Sequence, residues 1–270
     1  MRLVTLLFHD VYETDPSESG FAGAAADRYK LTRAAFEAQL SGLRRARSDR
    51  PVLATELPPP GAVTAPFALT ADDGGVSYYT IMADRLEALG WRGHCFVTTS
   101  MIGRPGFLDR ARIRELHRRG HLIGSHSVTH PARFSARSLE EMVREWADSR
   151  ARLADILGED VTVASVPGGY FSRAVAETAR EAGLRVLFTS EPETRVAPVG
   201  GCVVAGRFTI RPGRRAGFAR DLGRLRSSTL LREFMVWNGK KLIRACLGKA
   251  YPRLAGATAS VGRTAAPSRR

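Results

Sequence analysis

Two adjacent carboxylates, Asp72 and Asp73, lie in the stretch Leu69-Thr70-Ala71-Asp72-Asp73-Gly74-Gly75, at the end of an apolar run. Two imidazoles, His126 and His130, stand four positions apart in Ser125-His126-Ser127-Val128-Thr129-His130-Pro131. Neutral imidazoles with a carboxylate suit a divalent metal such as zinc, and three protein ligands leave a coordination position open for water. The metal lowers the pKa of that water to about 7. A second carboxylate beside it can act as general base, and a cation relieves the repulsion between two neighbouring acids. These residue types therefore amount to a minimal kit for metal-assisted hydrolysis. Each pair has a plainer reading when taken alone. Asp-Asp-Gly also suits a turn, and His-x-x-x-His also occurs as structural histidines. Their shared placement at the ends of predicted strands favours chemistry, because open and barrel-like α/β sheets set their sites there.

The elements that must position these groups alternate along the chain. Strands are expected at 1–8, 66–70, 93–97, 122–125, 161–166, 184–188 and 203–210. Helices are expected at 32–47 with Thr32 as cap, 77–89 with Ser77 as cap, 109–119, 139–157 and 172–182. Glycines stop several of them, Gly90, Gly120, Gly158 and Gly183 among these. Residues 15–27 read as loop, and Leu57-Pro58-Pro59-Pro60-Gly61 breaks the chain. Such alternation argues an α/β fold with a parallel sheet or barrel.

At these motifs the sequence resembles the polysaccharide deacetylase family, also called the NodB-homology domain or carbohydrate esterase family 4. That family has a Thr-Phe-Asp-Asp-Gly motif and a His-Ser/Thr-x-x-His motif, which read here as Thr70-Ala71-Asp72-Asp73-Gly74 and His126-Ser127-Val128-Thr129-His130. The opening Leu6-Leu7-Phe8-His9-Asp10-Val11 is also of a kind that many members carry. The resemblance implies a distorted (β/α) barrel with an incomplete strand set, Asp72 as general base, and Asp73, His126 and His130 as metal ligands. Three departures stand out. The family's Arg-x-Pro segment becomes Ser165-Val166-Pro167-Gly168-Gly169-Tyr170, with Ser165 in place of the arginine. Phe188-Thr189-Ser190-Glu191-Pro192 stands where an Asp-x-x-Asp-Trp motif is expected. The Leu-x-His motif that carries the family's catalytic acid is missing, since all six histidines lie at or before His130.

The missing acid directs attention to other strand ends. His9 follows the first strand and is read either as substrate-binding or proton-donating, or as a hydrogen-bonded structural histidine. Pro167, Gly168 and Gly169 can form a groove floor whose backbone N–H groups face an oxyanion, and Tyr170 can stack on a sugar. Glu191 is a candidate donor or substrate ligand, or else a solvated carboxylate. His94, His117 and His121 read as structural or solvent-facing, and Cys95 as core.

A chain of 270 residues with 44% hydrophobic content can bury a full core. It is read as a catalytic domain over 1–210, a basic amphipathic helical extension over 211–256 and a disordered basic tail over 257–270. Three scattered cysteines argue against a disulfide framework. The absence of a long apolar run argues against a membrane span, and the short apolar start reads as a strand in place of a signal peptide. A cytoplasmic setting is therefore expected, with peripheral contact at the inner face of the membrane. The net charge of +14 falls entirely after position 206, where 16 Lys+Arg face only Asp221 and Glu233. It reads either as a solvated tail or as attraction to anionic lipid or anionic polymer. No nucleic-acid motif accompanies it. In that extension Leu230, Leu231, Phe234, Met235, Leu242, Ile243, Cys246 and Leu247 recur at helical spacing among basic residues, a stripe that reads first as packing on its own domain and second as an interfacial membrane helix, with Gly239 expected to kink or divide the helix. One divalent ion is expected, zinc first, with cobalt, manganese or nickel as alternatives. The resemblance implies an N-acetylated glycan or glycan precursor of exopolysaccharide synthesis as the expected substrate. Hydrolysis of another C–N bond and non-catalytic carbohydrate binding are the alternatives.

Overall fold

The computed structural model of the chain describes residues 1–57 and 65–247. The strands are β1 (Val4–Phe8), β2 (Val11–Tyr12), β3 (Leu31–Thr32), β4 (Phe67–Ala71), β5 (His94–Val97), β6 (Leu122–Ser125), β7 (Val163–Ser165), β8 (Val186–Phe188), β9 (Val196–Val199), β10 (Cys202–Ala205) and β11 (Phe208–Thr209). Nine of them make one sheet in the order β11-β1-β4-β5-β6-β7-β8-β10-β9, while β2 pairs with β3 apart from it. Every neighbouring pair in the large sheet is parallel except β9 with β10. Strands β1 and β4 are buried along their whole length, as parallel strands covered on both faces must be. The far edge returns to the first strand through Leu3 N–H to Thr194 O (2.8 Å) and Val196 N–H to Met1 O (3.1 Å). The expected distorted, incomplete (β/α) barrel is the observed fold.

Helices α1 (Ala24–Asp27), α2 (Arg33–Arg44), α3 (Ala83–Glu87), α4 (Arg110–Arg118), α5 (Leu139–Leu157), α6 (Arg173–Glu181), α7 (Phe218–Gly223) and α8 (Ser227–Leu247) surround the sheet. The side chains of Thr32, Asp109, Ser138 and Ser172 accept first-turn N–H groups of α2, α4, α5 and α6, so local capping chemistry sets these starts. Phe218, Ala219 and Leu222 of α7 join the main core with Phe36, Leu40 and Leu43 of α2. The packed body thus includes residues on the far side of position 210.

Four expectations change. The helix foreseen over 77–89 is a π-turn at Tyr78–Met82 followed by α3. Ser77 does not cap it. Its hydroxyl donates to Asp10 Oδ1 (2.9 Å) and accepts the Val11 N–H (3.1 Å), so the needs of a buried carboxylate override capping. The strand foreseen over 203–210 divides into β10 and β11 at Gly206-Arg207, and β9 precedes them unforeseen. The span 15–27, read as loop, holds a 3₁₀ turn at Pro16–Glu18 and α1. Finally, α8 continues through Gly239. The expected tail over 257–270, and residues 248–256 of the expected extension, lie outside the described residues.

The buried histidines away from the strand tips make a pH-dependent contribution. His94 is fully buried, with Nδ1 2.9 Å from Leu69 O and Nε2 accepting the Ala54 N–H at 2.9 Å. Burial pushes its pKa down to about 4 from 6.5. The unfolded chain therefore binds more protons than the folded one between those values, and stability is lost as pH falls through that window. For His94 the loss amounts to roughly 3 kcal/mol. The denaturant midpoint is expected to drop from pH 6.5 to pH 4, and to drop less in His94→Gln, whose amide can both donate to Leu69 and accept from Ala54. An equally steep drop in the variant would contradict this assignment.

Candidate metal centre

The C-terminal ends of β4 and β6 bring the two sequence motifs together. One donor atom each from Asp73, His126 and His130 lies within 4.8 Å of the other two. Asp73 Oδ1 is 3.5 Å from Nε2 of His126 and 3.5 Å from Nε2 of His130. Ligands of a tetrahedral zinc ion with bonds of about 2.1 Å stand roughly 3.4 Å apart, so the donor set and its spacing fit such an ion. His126 Nδ1 lies 2.9 Å from the Ser165 carbonyl. Donation to that carbonyl places the ring proton on Nδ1 and leaves the Nε2 lone pair for a metal.

The loop carrying the histidines is held firmly. Glu145 of α5 accepts the N–H groups of Val128 (2.8 Å) and Thr129 (2.9 Å) and the Thr129 hydroxyl (2.6 Å). Ser127 Oγ accepts the His130 N–H at 3.0 Å. Asp73, Ser127 and His130 adopt left-handed backbone at φ 76°, 65° and 54°, and only one other non-glycine among the described residues does so. Such backbone is costly for side-chain-bearing residues and is sustained where the surroundings over-determine it. Burial opposes the charge on Asp73, yet His126 and the neighbouring imidazoles hold its carboxyl below the ordinary value. His126 is likewise resisted by burial but raised overall by Asp72 and Asp73, whereas burial and the His126 cation lower His130.

Asp72 has a partner that the sequence did not reveal. Arg207, fully buried between β10 and β11, donates to Asp72 Oδ1 (2.7 Å) and Oδ2 (2.8 Å). It also donates to Ser165 Oγ (2.7 Å), Thr70 Oγ1 (3.2 Å) and Thr189 O (2.8 Å). A guanidinium carries five N–H donors, and these five contacts use them all. Ser165 Oγ donates in turn to Asp72 Oδ2 at 3.0 Å. Burial alone would raise the Asp72 pKa, but the Arg207 charge, followed by that of His126, holds it far below the ordinary carboxylate range. The guanidinium missing at position 165 thus arrives from 207, and the small Ser165 binds both partners.

The remaining candidates divide. His9 follows β1 and stacks on Tyr29 with ring centroids 4.8 Å apart, and its Nδ1 is buried with no hydrogen-bond partner. Burial lowers its pKa against the pull of Asp73 and Asp72, so it is a neutral imidazole at pH 7 and a poorer source of a proton than a free histidine. Pro167–Gly169 forms a 3₁₀ turn. A Cβ on Gly168, at φ 65°, would come within 2.9 Å of Ala132 O, so this turn packs on the loop just after His130. Tyr170 lies beside it under the Arg133 guanidinium, 5.7 Å from the ring centroid. The Glu191 carboxylate pairs with Lys241 Nζ of α8 at 3.1 Å. His94 and His121 are structural, as expected, with His121 hydrogen-bonded to Tyr78 and Glu87.

Comparison with known proteins agrees with this geometry. Residues 64–187 match the family model described as polysaccharide deacetylase. YxkH of Bacillus subtilis, which bears a polysaccharide deacetylase name, is 24% identical over 145 residues, covering 54% of this chain and 51% of that protein. A gellan lyase from a Bacillus species is 34% identical over 106 residues, 39% of this chain but 4% of that protein. The match therefore spans about half or less of these curated relatives. Among solved structures, IcaB from Ammonifex degensii superposes with a TM-score of 0.64 at 22% identity, covering 83% of this chain and 97% of that one. The barrel, the paired motifs and the family model matched over residues 64–187 agree in likening this chain to the polysaccharide deacetylases.

Proposed function

We propose that this protein is a metal-dependent hydrolase that removes acetyl groups from N-acetylated sugars during glycan or exopolysaccharide synthesis. The observation that carries the reading is the juxtaposition of a three-donor centre with a separate, ionised carboxylate, Asp72. A divalent ion bound by Asp73, His126 and His130, zinc first by its donor set, supplies Lewis acidity toward an acetamide carbonyl and a water molecule. Asp72 takes the proton from the attacking water. Protonated Asp72, paired with Arg207, is a strong acid, so the same carboxyl can return the proton to the departing amine. That shuttle removes the need for a later histidine. His9 orients the substrate at the same strand end, the Pro167–Gly169 turn with Tyr170 borders the groove, and Glu191 marks its far rim.

The test is acetate release from a panel of N-acetylated mono- and oligosaccharides by protein reconstituted with zinc, cobalt, manganese or nickel. Release from an N-acetylated sugar supports the proposal. Turnover confined to non-sugar amides would replace it with hydrolysis of another C–N bond, and glycan binding without turnover would replace it with a binding protein.

A further inference from the structure

Among the described residues, helix α8 is the one element whose outward face does not match a water-facing surface. Among the described residues, seven large hydrophobic side chains are exposed, and five of them, Leu231, Phe234, Met235, Val236 and Leu242, belong to α8. At ~100° per residue, Leu231, Phe234, Met235 and Leu242 share a sector of about 100° of the helix circumference. On the opposite side Glu233 is buried and paired with Arg214, and Leu230, next to the Phe234 edge of the sector, packs on the main core. Exposed Arg232 and Lys241 flank the apolar sector on its two sides. The helix is not long and apolar enough to cross a membrane.

We infer that α8 is an interfacial anchor, seating its Leu231–Phe234–Met235–Leu242 face in the headgroup region of an anionic membrane. Charge complementarity selects this occupant. The whole +14 excess of the chain falls after position 206, and a helix with an apolar face between cations is the form that lies in an anionic interface. The anchor is also placed to serve the centre. The ring of Trp237 lies 3.6 Å from the position of a Cβ on Gly169, and Lys241 holds Glu191. Gly169 and Glu191 follow β7 and β8, at the strand ends that open on Asp72 and His126. Docking through α8 therefore sets the mouth of the barrel at the membrane surface, where a membrane-borne acceptor would meet it. The inference goes beyond the deacetylase reading, and its readout does not depend on turnover.

The experiment is flotation of the full chain with vesicles of phosphatidylcholine containing phosphatidylglycerol, against vesicles of phosphatidylcholine alone. Binding is expected to the anionic vesicles, to weaken with salt, and to fall at least tenfold in the Leu231→Gln/Phe234→Gln/Met235→Gln/Leu242→Gln variant. These side chains face solvent, so the variant is expected to keep its thermal midpoint. A second measurement covers the case in which it does not fold. Met235→Cys in a Cys246→Ser background, labelled with an environment-sensitive dye, is expected to shift to the blue on anionic vesicles only. Equal binding to both vesicles, no binding to either, binding that survives the apolar substitutions, or an unshifted dye would each overturn the inference. So would a wild-type dimer in solution that the apolar substitutions make monomeric, since the face would then be a self-association surface.

Discussion

An Asp72→Asn variant is expected to lose turnover by roughly 10²–10⁴-fold, the range for removal of a general base, while keeping its metal but losing stability, because buried Arg207 then lacks its counter-charge. The amide has nearly the shape of the carboxylate. It can still accept from Arg207 through its oxygen, but it cannot take a proton from water. The neighbouring Asp73→Asn is expected to behave differently, because Asp73 Oδ1 lies between the two histidine Nε2 atoms and its loss weakens metal retention itself. Elemental analysis beside steady-state kinetics separates the two. Metal loss in Asp72→Asn with retention in Asp73→Asn would exchange the assigned roles.

The second large effect is on stability. Arg207→Met leaves Asp72 buried beside an apolar side chain, and breaking a buried ion pair from one side costs roughly 3–5 kcal/mol. Adding Asp72→Asn should recover most of that loss, since the uncompensated charge is then gone. The pH dependence follows from the sign of the Asp72 shift. In the parent protein the folded pKa is depressed, so the pair stabilises above the unfolded carboxylate value of about 3.9 and that contribution is lost as pH falls toward the folded pKa. The penalty of Arg207→Met should accordingly be largest near neutrality and shrink in acid. Urea unfolding of the parent, the single variant and the double variant measures it. A double variant no more stable than Arg207→Met would show that packing, not charge, sets the cost.

These two residues also mark how far the sequence could be read. Asp72, Asp73, His126 and His130 were legible because each pair is local and its residue types declare their chemistry. Helix α5 was legible to the residue because Ser138, Glu141 and Gly158 cap it by local rules. Arg207 was not. It lies 135 positions from Asp72 and opens a run of basic residues, so in the sequence it counts as one more surface cation. Only the return of β11 beside β1 brings it inside. A signal was present in the break between Val203-Val204-Ala205 and Phe208-Thr209, where an arginine interrupts an otherwise apolar stretch. Ser77 failed as a helix cap for a related reason. Its partner, Asp10, lies on another strand end, and a buried carboxylate outbids the few tenths to 2 kcal/mol of a cap.

In the proposed mechanism, hydrolysis depends on an ion held by Asp73, His126 and His130. Metal-stripped protein titrated with zinc, with bound zinc and acetate release from an N-acetylated oligosaccharide followed together, tests it most directly. Acetate release should be absent at the start and rise in step with bound zinc to a plateau at one ion per chain. In His126→Ala/His130→Ala both should remain near zero while the protein stays folded. Full release by the stripped protein, or unaltered zinc binding in the double variant, would contradict the account.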